Sequence, residues 1–231
     1  MRSEAVEARE RPLAAPSGER ATAAARSAAY ALFSQLVASP NDAGRAAVAL
    51  PPLDLDEVIS ALAAELPYGM DFSGLADAAG RLAPAEEQRL AASYGSLFEV
   101  GSDGPPVAIR EGLAEACSPR AREEVVRYYS FFGYRLREEL QWAPDHLAVE
   151  LEFLHFLCFA ESRAGDRESR LSLGRAQRDF LARHPALWYP EIRHRVRRLA
   201  EEPYHRALFD LLGRFLERDL AWLEERFEEE K

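Results

Sequence analysis

Pro144-Asp145-His146-Leu147-Ala148-Val149-Glu150-Leu151-Glu152-Phe153-Leu154-His155-Phe156-Leu157-Cys158 is the most apolar segment of the chain and carries its least expected polar residues. It reads as a helix. Pro144 lacks the N–H that a first turn would leave unpaired, Asp145 stands where a carboxylate can face the orphan amides, and Gly165 offers a stop. Successive side chains turn by about 100°, which puts Leu147, Leu151, Leu154 and Cys158 on one face and Val149, Phe153, Leu157 and Ala160 along its flank. So wide an apolar surface belongs to a central helix. Burying its six large side chains contributes roughly 10–15 kcal/mol gross, before chain entropy is subtracted. His146 and Glu150 are four apart and lie on the flank beside Phe153, Leu154 and Leu157, so they must be paired or used. Either they pair with each other, or a distant arginine closes the carboxylate, or Asp145 and His146 form a recognition site at the mouth of a groove.

Outward from this helix, residues 1–17 lack periodicity and are expected to be a disordered lead-in to a single all-helical domain over 18–231. Ala25, Ala29, Leu32, Phe33, Leu36 and Val37 repeat at helical spacing until Ser39-Pro40. Asp54-x-x-Glu57 is a capping box ahead of Leu55, Val58, Ile59, Leu62 and Leu66. A short helix is expected within Met70–Leu82, and another from Pro84 with Leu90, Tyr94, Leu97 and Phe98 on one side. The turn-rich stretch at about 99–117, with Pro105-Pro106, is expected to act as a hinge or lid. Next come a helix capped at Ser118-Pro119 with Val125, Val126, Tyr129 and Phe132 inward and Gly133 at its end, then one capped by Asp166 that stops near His184-Pro185. Pro190 is expected to start a helix with Ile192, Val196 and Leu199, and the last helix carries the stripe Leu208, Leu212, Leu216, Leu220, Leu223 and Phe227. No segment alternates like a strand. The fold class is all-α, a single-domain bundle of eight to ten helices.

Charge and motif content narrow the function. A formal charge of −10 disfavours nucleic acid and anionic bilayers and favours basic or neutral partners. Cys117 and Cys158 form no C-x-x-C, no run reaches the length of a membrane span, and residues 1–20 lack the apolar centre of a signal peptide, so a reduced, cytoplasmic setting without membrane insertion is expected. Phosphate loops and nucleophile elbows are missing. A metal-dependent or acid/base enzyme would have to use His146, Glu150 and His155, but His146 and His155 are nine apart and point to opposite sides of the helix. His184, His194 and His205 read as exposed or capping, the arginines from Arg193 to Arg198 as a solvated face, and Trp188 and Trp222 as core.

Four stretches together resemble the TorD/DmsD/NarJ family of molybdoenzyme maturation chaperones. These are Tyr94-Gly95-Ser96-Leu97-Phe98 followed by Pro105-Pro106, Tyr128-Tyr129-x-x-Phe132-Gly133, Pro144-Asp145-His146-Leu147-x-x-Glu150-Leu151-Glu152-Phe153, and Phe180-Leu181-x-x-His184-x-x-Leu187-Trp188. Within the family the chain is most similar to the chaperones serving type II enzymes of the DMSO reductase family. The resemblance implies a TorD-like helical protein that is not an enzyme. It would bind the catalytic subunit of a molybdenum oxidoreductase at its twin-arginine signal peptide or N-terminus, and delay export until the cofactor is inserted. That cofactor, molybdopterin guanine dinucleotide, belongs to the client, and none is held stably by the chaperone itself. A monomer is implied, or a dimer formed by helix exchange.

The partner-binding residues carried over by the resemblance are Tyr94, Leu97, Phe98, Pro105, Pro106, Pro144, Asp145 and His146, with Glu150 behind them. Where the family often has Ser or Tyr after the loop prolines, this chain has Ile109-Arg110-Glu111. A groove with Asp145 at one end and Leu97 and Phe98 along it would suit a segment offering guanidinium groups beside an apolar run.

Overall fold

The structure is a computed structural model that describes residues 18–40, 62, 64–80, 87–101, 104–136 and 143–228. Eight α-helices are found among them: α1 (Glu19–Val37), α2 (Ser73–Gly80), α3 (Glu87–Tyr94), α4 (Ala121–Phe132), α5 (Leu147–Arg163), α6 (Arg167–Arg183), α7 (Pro185–Leu199) and α8 (Pro203–Glu228). A π-turn, Gly95–Glu99, extends α3, and a 3-10 turn, Glu111–Leu113, interrupts the segment between α3 and α4. No strand occurs among the described residues, which bears out the all-α reading. The expected lead-in at 1–17 and the capping box at Asp54 lie outside the described residues.

The apolar stretch from Leu147 to Cys158 lies in α5, and that helix is central. Leu147, Leu151, Phe153, Leu154, Leu157 and Cys158 are fully buried. Its long neighbour is α1, whose Ala25, Ala29 and Ser34 are small enough to let the two axes approach; Ser34 Oγ donates to the Ala148 carbonyl at 2.7 Å. Behind them α6 packs on α5, while α8 packs across α2, α6 and α7. Helix ends follow the sequence in most places: Asp166 caps α6 through Ser169 N at 2.7 Å, and Gly133 ends α4 with φ +70°, a conformation that favours glycine.

Several side chains depart from expectation. Val126 is exposed on α4, and Pro190 lies inside α7, which already starts at Pro185. Proline at the first helical position has no amide to lose, so Pro185 takes the start; Pro190 then leaves the Ala186 carbonyl without its usual amide donor. Along α8, Asp219 is buried where Leu220 was expected, because Leu212, Leu216, Asp219 and Leu223 follow the 4-3-4 spacing of one face. His205 is buried instead of exposed, and His184 holds the cap position between α6 and α7 that was one of its two expected places, though it too is buried.

The reason Asp219 tolerates the interior is a set of donors converging on it. Arg26 reaches it through Nε at 2.6 Å and Nη2 at 2.8 Å, and the Tyr30 and Tyr68 hydroxyls each donate at 2.6 Å. Gln177 accepts from Arg26 Nη1 and donates to Glu161, which also receives Arg226. Burial alone would lower the basicity of Arg26, but the Asp219 carboxylate overrides it and holds the guanidinium charged. This network joins α1, α5, α6 and α8.

Candidate functional site

The N-terminus of α5 is where the expected site residues meet the 104–117 segment. His146, not Asp145, is the N-cap: its Nδ1 accepts the Ala148 amide at 3.1 Å. Asp145 turns the other way. Its Oδ1 receives Arg110 through Nη2 at 3.0 Å and Nε at 3.3 Å, and its Oδ2 receives the Gly112 amide at 3.1 Å. Backbone bonds frame the contact, with Glu111 N donating to the Asp145 carbonyl at 2.9 Å and Leu147 N to the Ile109 carbonyl at 3.1 Å. Arg110 and His146 form an isolated antiparallel bridge. A Cβ at position 112 would stand 2.9 Å from Asp145 Oδ2, so glycine lets this backbone come close.

Asp145 is therefore covered. It is 1% exposed, while the Arg110 side chain over it is 26% exposed. Pro144 is buried too, with its carbonyl accepting the Tyr129 hydroxyl at 2.9 Å, and His146 is half-buried. Tyr94, Leu97 and Phe98 face the core instead of an open groove: Tyr94 donates to the Val37 carbonyl at 3.0 Å, and Phe98 stacks on Phe209. Leu97 and Phe98 follow Tyr94 by three and four residues and so share its inward side. Of the expected partner-binding residues only Pro106 is exposed, with Pro105 half-buried. The expectation of an open groove running from Asp145 along Leu97 and Phe98 is corrected accordingly.

Sequence reasoning missed the second half of this site. Glu150 is fully buried and does not pair with His146; its Oε2 accepts from Trp188 Nε1 at 3.1 Å, while its Oε1 meets no hydrogen-bond partner among the described residues. Glu111 accepts from His184 Nδ1 at 3.0 Å and from the Cys117 thiol. Burial first, and the Glu111 carboxylate second, push the Glu150 carboxyl well above its ordinary range. A carboxyl pushed that way in a dry site favours its neutral form, with the negative charge of Glu111 opposing its ionisation. The Cys117 thiol is pushed up to about 12 by burial and by Glu111, so it is a poor nucleophile at neutral pH. Glu111 thus pins the loop to the α6–α7 junction. Nothing local in the sequence linked residues 111 and 184.

The direction of the Glu150 shift sets a pH dependence. The unfolded chain releases this proton near 4.5 and the folded one at higher pH, so between the two the native state binds more protons and stability falls as pH rises, by at most about 1.4 kcal/mol per unit. Gln at this position supplies a neutral donor and acceptor. Thermal melts of Glu150→Gln should therefore run above wild type at pH near 8 and converge with it toward pH near 5. Parallel pH profiles would contradict a protonated Glu150.

The third residue of the enzymatic alternative, His155, lies elsewhere. Its Nδ1 donates to the Ser27 carbonyl at 2.9 Å on the α1 side, so His146, Glu150 and His155 serve three separate contacts. Among the described residues, no group of three or more His, Cys, Asp or Glu side chains is placed to hold a metal ion. Three arginines of α7 are paired: Arg193 and Arg197 with Asp210, Arg195 with Glu115 and Glu191. No described helix is long and apolar enough to cross a membrane.

A family model described as nitrate reductase delta subunit matches residues 62–194, more than half of the chain, and includes every residue of the loop and the α5 N-terminus described above. The chain belongs to this family. Within the nitrate reductase delta subunit family, the resemblance read from the Asp145-His146 stretch is borne out by named relatives. The selenate reductase assembly chaperone protein of Thauera selenatis is 40% identical over 112 residues, covering 47% of this chain and 58% of that protein. The chlorate reductase assembly chaperone protein of Ideonella dechloratans is 38% identical over the same fractions. The chaperone protein TorD of Vibrio cholerae serotype O1 is 24% identical over 176 residues, covering 74% of this chain and 80% of that protein. The chain spans somewhat more than half the length of the first two.

Proposed function

We propose that the chain is a system-specific, cytoplasmic chaperone for the catalytic subunit of a molybdenum oxidoreductase of the DMSO reductase type. It binds that subunit at its twin-arginine signal peptide or N-terminus, keeps it open for insertion of molybdopterin guanine dinucleotide, and delays export until assembly is complete. Similarity to relatives named as selenate and chlorate reductase assembly chaperones carries this reading. The chemistry of the site is compatible with it. Such a task breaks no bond, and the buried groups at α5 are arranged to hold backbone and charge in place. An acidic chain also attracts a basic segment over several ångströms of solvent, an effect that salt removes.

The client segment is proposed to engage the rim made by Pro105, Pro106, Asp145 and His146. Co-expression with the catalytic subunit of a selenate- or chlorate-reductase type enzyme, followed by calorimetric titration, tests this. Wild type should bind, and Asp145→Ala combined with His146→Ala should bind at least about tenfold more weakly while remaining helical. Wild-type affinity in that double variant would remove the rim from the reading; no binding by the wild-type chain would remove the reading itself.

A further inference from the structure

We propose that Arg110 is a built-in stand-in for a client arginine, occupying a guanidinium slot over Asp145 that the client's own side chain takes when Arg110 swings out. The inference rests on the chaperone reading and names the chemistry its site selects.

The slot is framed by backbone, not by Arg110. Glu111 N to the Asp145 carbonyl, Leu147 N to the Ile109 carbonyl and Gly112 N to Asp145 Oδ2 persist whatever the Arg110 side chain does. Glu111, held by His184, anchors the same turn from the other side. The guanidinium can therefore leave without unfolding its cradle. It is also the partly exposed member of the pair, at 26% against 2% for the Asp145 side chain, so its departure opens the carboxylate from outside.

A departing Arg110 would leave Asp145 buried with one amide donor and no cation. Such a carboxylate strongly favours another cation. The geometry selects which one. Gly112 occupies Oδ2, and the two Arg110 donors, Nε and Nη2, converge on Oδ1 from one edge of a planar group. Another guanidinium reproduces that edge; a lysine ammonium supplies a single compact donor with a heavier hydration shell. In the resting chain the client arginine competes with an intramolecular one, which lowers apparent affinity by the effective concentration of Arg110.

The test is fluorescence polarisation with a labelled peptide carrying two adjacent arginines before a short apolar run, and with its Arg→Lys counterpart. Arg110→Gln should bind the arginine peptide at least about tenfold more tightly than wild type, with little change for the lysine peptide. Adding Asp145→Asn should abolish the gain. An equal gain for both peptides would mean only that a positive charge has been removed, and would overturn the proposal. So would unchanged or weaker binding by Arg110→Gln, or no binding of the arginine peptide by any variant. Should Arg110→Gln lose its near-ultraviolet dichroism, Arg110→Lys replaces it: a smaller arginine-selective gain is expected, and none overturns the slot. Binding of the intact catalytic subunit by wild type is read in parallel. If that subunit binds while the peptide results fail, the slot is wrong and the chaperone reading stands.

Discussion

Replacing Asp219 with alanine is expected to cost about 3–5 kcal/mol of folding free energy, enough to consume much of the stability of an ordinary domain. The size follows from what the carboxylate leaves behind. Arg26 is wholly buried and would lose both hydrogen bonds to Asp219, keeping Gln177 and the more distant Glu161 at 3.7 Å. The Tyr30 and Tyr68 hydroxyls would lose their acceptor in the same step. Asp219→Asn keeps the shape but not the charge, and should fall between alanine and wild type. Urea unfolding measures both. A loss below about 1 kcal/mol for Asp219→Ala would mean that water reaches Arg26 in the folded state.

Phe153→Ala should cost about as much, 3–5 kcal/mol, by a different route. The ring is fully buried, with centroids 4.7 Å from both Tyr129 and Phe180 and 5.4 Å from Tyr134. Alanine leaves a cavity where α4, α5 and α6 meet. The effect reaches the site, because Tyr129 carries the hydrogen bond to the Pro144 carbonyl that seats the turn before α5. Phe153→Leu should recover most of the loss. Hydrogen exchange at Leu147 and Ala148 should accelerate in Phe153→Ala more than in wild type at matched distance from the melting point; an unchanged local rate would mean that the turn is seated independently of the ring.

These two substitutions also mark what could be read from sequence. Phe153 lies in a helix whose periodicity is plain, and its burial followed from spacing alone. Asp219 occupies the same kind of position, three residues after Leu216 and four before Leu223, but its polarity argued for the outer face. Only the arrival of Arg26, from nearly two hundred residues earlier, makes the interior tolerable. The site divides in the same way. Asp145, His146 and Glu150 stood out because polar groups rarely interrupt so apolar a stretch, and the structure does bring them against the loop that follows Pro105-Pro106. Their partners Arg110, Glu111, His184 and Trp188 come from other elements; the stretch with His184 and Trp188 stood out in the resemblance, but no local pattern tied it to Glu111 or Glu150. Leu97 and Phe98 were expected along a groove because the resemblance implied it; helical phase alone put them on the same side as Tyr94, three and four residues on, and that side faces the core.

In this chain the α5 N-terminus and its loop form a latched rim in which Arg110 covers Asp145. The chaperone account requires that the chain hold a client through the client's N-terminal segment, and the rim is the place proposed for it. Calorimetric titration of the full chain with a molybdoenzyme catalytic subunit, once with its N-terminal segment and once without, bears on this most directly. Binding that weakens at least about tenfold on removal of the segment is the predicted result. Equal affinity for the two forms, or heat from neither, would contradict it.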